Sequence, residues 1–124
     1  MVQMMTTAQS EALARAYARD GAASVIESLL GEAAAGAKTA EKHVTFVLQS
    51  LEAMAEHQVD AACCLMIALY PVADELLMHD VCDSIGLWVW HNQSAVVIEH
   101  LKRSAASEPD PDLKRHLEGM LPVE

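Results

Sequence analysis

The sequence predicts an all-α protein, and three observations lead there. The apolar residues, 52% of the chain, are mostly Ala, Leu, Val and Met, while aromatics supply only 4% and β-branched strand formers are few. Apolar side chains recur three and four residues apart through most of the chain. Helix-starting and helix-stopping residues punctuate that pattern at regular intervals. A length of 124 residues fits one domain, so residues 1–124 are read as a single helical-repeat domain.

The elements follow in order. Thr6 with Gln9 is a capping-box pair that opens a short helix through "EALARAYARD", which Gly21 stops, giving an N-terminal cap over 6–20. Ser24 with Glu27 is a second such pair, opening "SVIESLLGEAAAG" with Val25, Ile26, Leu29 and Leu30 as its stripe and Gly31 and Gly36 weakening its end. From Thr39 the clearest amphipathic helix carries Val44, Val47, Leu48, Leu51, Met54 and Ala55 on one face. Residues 59–70, "VDAACCLMIALY", are apolar nearly all round and fit the most enclosed position, with Pro71 expected to kink or end that helix. "DELLMHDVCDSIGLWVW" then places Leu77, Val81, Ile85 and Trp88 on one stripe. Ser94 opens "SAVVIEHLKRSAA" with Val97, Ile98 and Leu101 inward, and Asp110 caps a last helix with Pro111 at its first position, running through Leu113, Leu117, Met120 and Leu121.

Laying the chain on itself reveals a repeat. "VIESL" at 25–29 matches "VIEHL" at 97–101, twice a 36-residue period, and the middle copy "AACCL" keeps Leu65 in register with Leu29 and Leu101. Leu77, Val81 and Ile85 recur 36 residues later as Leu113, Leu117 and Leu121. A two-helix unit of this length predicts three stacked hairpins, over about 23–58, 59–92 and 94–121, in an α-solenoid. An irregular helical bundle is the alternative arrangement of the same elements.

The stretch "AVVIEHLKRSAASEPDPDLKRHLEGML", 95–121, resembles the HEAT-repeat family: an apolar first helix, an acidic turn, then a D-P-x-[VL]-[KR] start to the second helix in Asp110, Pro111, Asp112, Leu113 and Lys114. "HDVCDSIG" at 79–86 looks like a weaker form, and Pro71 is similar to the proline that often bends the first helix in that family. Cys82 stands where the middle unit would carry a basic residue, and the first unit lacks the Pro/Asp turn. The resemblance implies a HEAT-like stack whose second helices line a concave, protein-binding surface.

Composition narrows the function. A net charge of −10 repels phosphate backbones, which argues against nucleic acid. The longest apolar run, "AACCLMIALYPVA", is too short to span a bilayer, and the first residues show no apolar signal-peptide core, so no membrane association is expected. Cys63, Cys64 and Cys82 form neither a CxxC pair nor an even disulfide set, which fits a reducing cytoplasm. His79 and Asp83 lie one turn apart and Glu52, Glu56 and His57 cluster, yet no Glu-x-x-His occurs, so no metal or cofactor is expected. No nucleophile motif or phosphate loop appears, and no catalytic residue is assigned. Trp88 and Trp90 sit about 200° apart on a helix, so an inward Trp88 turns Trp90 outward, on the face of His79 and Asp83. With Phe46 these make the expected protein-binding patch: Phe46, His79, Asp83 and Trp90. The function expected is therefore a small non-enzymatic module (adaptor, chaperone, assembly factor or immunity-type protein) whose partner is another protein with a basic surface. The competing expectation is an enzyme or a metal or redox sensor assembled from His, carboxylate and Cys groups.

Overall fold

A computed structural model of the chain describes residues 5–35 and 39–122, and within them the regular structure is helical throughout. The helices are α1 (Thr7–Asp20), α2 (Ala22–Ala34), α3 (Ala40–Ala55), α4 (Val59–Glu75), α5 (His79–His91), α6 (Ala95–Ser107) and α7 (Pro111–Glu118). Four of the sequence-predicted starts are realised as caps. The Thr6 hydroxyl accepts from the Gln9 amide while the Gln9 side chain accepts from the Thr6 amide; Thr39, Ser94 and Asp110 accept from the amides of Lys42, Val97 and Asp112. Each removes a donor that the first helical turn leaves unpaired. No described helix is long and apolar enough to cross a membrane.

The core is organised around α4, which packs against α1, α2, α3, α5 and α6. Six consecutive residues, Ala62 to Ile67, are buried, and one and two-thirds turns of continuous burial means the helix is covered on every side. α3 contributes Val44, Val47, Leu48, Leu51, Met54 and Ala55, the whole of its expected face, and α6 contributes Val97, Leu101 and Ala105. Two side-chain ties cross the molecule. The Tyr17 hydroxyl on α1 lies 3.3 Å from Nδ1 of His100 on α6, and the Tyr70 ring on α4 packs edge-on against His116 of α7, which also sits 3.6 Å from Asp74.

Several expectations require correction. The second helix starts at Ala22, not at Ser24: Gly21, at φ 90, donates its amide to the Tyr17 carbonyl to close α1 and accepts from the Val25 amide to begin α2, a one-residue reversal that leaves Ser24 inside the helix. Pro71 does not end α4, which continues to Glu75. The proline forfeits one bond to the Ile67 carbonyl, and packing on five neighbouring helices outweighs that loss. α7 stops at Glu118, so Met120 and Leu121 follow it in a turn. Gly31 lies within α2, whereas Gly36 is outside the described residues.

The largest departure is Leu77. It precedes α5 and joins no stripe; the buried face of α5 is Val81, Cys82, Ile85 and Val89. At the end of α4 the Met78 amide donates to the Ala73 carbonyl and the Leu77 amide to the Asp74 carbonyl, the paired closure in which the residue between is left-handed and ordinarily glycine. Leu77 occupies that position at φ 59 and is 73% exposed. An L-residue with a Cβ costs about 1–2 kcal/mol there. Replacing Leu77→Gly is expected to raise unfolding stability by about 1 kcal/mol, whereas Leu65→Ala at the centre of α4 is expected to lower it by about 2–5 kcal/mol. Urea titration of both variants checks the pair; a destabilised Leu77→Gly would mean that the exposed leucine is packed in solution.

Candidate functional site

The face expected to bind is divided by α3. Phe46, 43% exposed, lines a groove of about 370 Å³ with Leu13, Ala16, Leu29 and Val47, contributed by α1, α2 and α3 itself. It lies about 120° around α3 from Glu52, which is the α3 residue that reaches α5. His79, Asp83 and Trp90 do share one face, since spacings of four and seven return to the same side of α5. All three are exposed, Trp90 by 51%. The structure thus gathers three of the four predicted residues on the outer crest of α5 and sets Phe46 on the opposite flank of α3.

Beside that crest runs a trough between α3 and α5. Thr45 and Leu48 face Leu77, Met78, His79, Asp80, Val81 and Ser84 across a cavity of about 540 Å³. Glu52 faces Ser84, Leu87, Trp88, His91 and Asn92 across another of about 380 Å³. Ser84 lines both, so the two cavities run end to end. Asp80, Ser84, Leu87 and His91 form one wall at successive turns, about 16 Å long at 1.5 Å per residue. Thr45, Leu48 and Glu52 form the other.

Trp88 holds the trough in shape. Its Nε1–H donates to Oε2 of Glu52 at 3.0 Å, joining α5 to α3. Its carbonyl accepts from the Asn92 side-chain amide at 2.8 Å, and the Cys63 thiol on α4 lies 3.8 Å from the same oxygen. The side chain is half-buried rather than fully internal. Oε1 of Glu52 receives no hydrogen bond from the described residues.

Charge is segregated around this site. All eight lysines and arginines precede His43 or follow Leu101, while Glu52, Glu56, Asp60, Asp74, Glu75, Asp80, Asp83 and Glu99 lie in between. α5 therefore carries Asp80 and Asp83 with no lysine or arginine on its own element, and α3 carries one, Lys42, in its first turn, ten residues before Glu52. Sequence reading missed Glu52, Asp80, Ser84 and Leu87 as site residues and put Leu77 in the core. The run free of lysine and arginine was the available signal; net charge alone conceals it.

The thiols, the two phenols and His100 are packed rather than poised. The three cysteines are free and buried, and burial pushes the Cys63 thiol up to about 12, with Cys64 and Cys82 raised for the same reason, which disfavours the reactive thiolate. Burial likewise pushes Tyr17 and Tyr70 up to about 12. His100 is held below its usual range by burial and by the neighbouring Arg103. Among the described residues no three His, Cys, Asp or Glu side chains converge as a metal-binding group. Comparison with protein-family models, curated proteins and solved structures gives no match.

Two outcomes follow. The thiols and phenols lose their protons more readily unfolded, from the ordinary values of 9.0 and 10.0, than folded, so stability is full below about pH 9 and declines as pH rises toward 12. His100 takes up its proton more readily unfolded, so its contribution is present above its ordinary value of 6.5 and is lost as pH falls below it. Denaturant midpoints measured across pH should trace a plateau between these limits, and a midpoint that rises from pH 9 to 11 would contradict the burial of these groups. Trp88→Ala should cost about 3 kcal/mol, because it removes a half-buried ring and leaves Glu52 without its donor; Trp90→Ala should change stability by no more than about 0.5 kcal/mol.

Proposed function

We propose that this chain is a small, non-enzymatic protein-binding module, built as a HEAT-like stack of three helical hairpins and working in the cytoplasm. The hairpins are α2–α3, α4–α5 and α6–α7, with α1 covering α4 on one side. Packing of α2 and α6 against α4, the first helix of the middle hairpin, supports that arrangement. The free, buried thiols are in keeping with a reducing compartment.

One observation carries the binding reading: the trough between the second helices α3 and α5, flanked by Leu87 at 59% exposure and by Trp90 on the adjoining crest. Large apolar side chains displayed beside a concave surface are what an interface core requires, since hydrophobic anchors in desolvated pockets supply most of the free energy of association. His79 and Asp83 add polar contacts on the same crest. Phe46 belongs to the separate α1–α2–α3 groove and is not part of this face.

A photo-activated cross-linker placed at Leu87 or Trp90 in the host cell tests the reading. Discrete cross-linked proteins from these two positions, absent from a cross-linker at the remote Glu27, are expected. Trp90→Ala should then weaken the purified complex by about 2 kcal/mol without altering helical circular dichroism. Cross-links arising only from α6 or α7 would place the working surface elsewhere and overturn the assignment.

A further inference from the structure

The geometry points to a cationic amphipathic helix of the partner as the occupant of the α3–α5 trough, an inference that rests on the protein-binding reading and names the chemistry it requires. The trough is about three helical turns long and has two helical walls, the shape in which an amphipathic helix buries one face. Its apolar side chains stand at the two ends, Leu48 and Leu77 at one and Leu87 with Trp88 at the other. Each end also holds one carboxylate, Asp80 beside Leu48 and Leu77 and Glu52 beside Leu87 and Trp88, with Ser84 shared between them. Glu52 accepts from Trp88 through one oxygen, Oε2, and α5 has no lysine or arginine, while α3 has a single one, Lys42, ten residues before Glu52.

That distribution selects among occupants. A purely apolar segment would desolvate Asp80 and Glu52 without pairing them, and an anionic one would be repelled. A segment with leucine-like residues at helical spacing and Lys or Arg beside them satisfies both the apolar and the acidic side chains of each cavity. A second copy of this chain brings its own net charge of −10 to an already acidic face. Leu77 adds an independent indication: an exposed leucine in a glycine position breaks two local rules at one residue, at the mouth of the trough.

The test uses the full chain and three fluorescein-labelled Leu-based peptides of helical period, whose intervening residues are Lys, Gln or Glu. Anisotropy titration should show the Lys peptide binding at least about ten-fold more tightly than the Gln peptide, with the Glu peptide weakest. Leu87→Ser, Asp80→Asn and Glu52→Gln should each weaken the Lys peptide by about five- to ten-fold, while Glu27→Gln and Glu118→Gln, outside the trough, leave it unchanged. Leu77→Gly, expected to be more stable than the parent, should nonetheless bind less tightly, which separates a binding defect from a folding defect. Equal losses from Asp80→Asn and Glu27→Gln would reveal attraction to an acidic surface in general and overturn the inference. Tighter binding of the Gln or Glu peptide, still abolished by Leu87→Ser, would overturn the cationic assignment and leave the protein-binding reading standing. Self-association in sedimentation that Leu87→Ser abolishes would make a second copy the occupant and overturn it as well. Peptides indifferent to every trough variant, together with no cross-link from Leu87, would remove both readings.

Discussion

The enclosure of α4 is the constraint on which the remaining structure depends. A helix with six successive buried residues has no side left for solvent, so its neighbours must surround it rather than lie along one stripe. α1, α2, α3, α5 and α6 meet that demand. In a chain this short, spending five helices on one leaves few large apolar residues over; the exposed ones are Phe46, Leu77, Leu87, Trp90 and Val96, and three of these five stand at or beside the trough. α3 and α5 both lean on α4, from adjacent sides, and the space between their outer surfaces is the trough.

Trp88 joins the stability of the core to the shape of that surface. Its carbonyl meets Asn92 and the thiol of Cys63 from the central helix, while its ring nitrogen fixes Glu52 on the opposite wall. The bond fixes one carboxylate oxygen of Glu52, a residue that lines the trough. A site wall positioned by a side chain rooted in the core is more sharply defined than one carried on a loop.

Local chemistry made much of this legible from the sequence. The hydroxyl caps at Thr6, Thr39 and Ser94 and the Asp110–Pro111 start are decided within three residues, and the α3 face follows from spacing alone. The outward turn of Trp90 relative to Trp88 is likewise a matter of helical phase. What escaped depends on distant parts of the chain. Pro71 is a helix breaker by local rules and is overridden by the burial of α4; Leu77 is apolar and in phase with Val81, yet the closure of α4 takes it for a glycine position. Phe46 shares no wall with α5 because the neighbours of α3 on that flank are α1 and α2. The trough itself joins residues such as Leu48 and Ser84, whose adjacency exists only after the helices have packed.

The contact between Tyr17 and His100 spans 83 residues of sequence and bridges the first helix to the sixth. Arrays whose units touch only their immediate neighbours can fray from an end, one unit at a time. Here the N-terminal helix lies across the centre and is fastened to a late one, so opening either end disturbs the other. Such a long closure slows the search for the native state, because chain entropy is lost before the contact can form. In return it couples the first helix to the sixth, so that loosening either one removes a partner from the other.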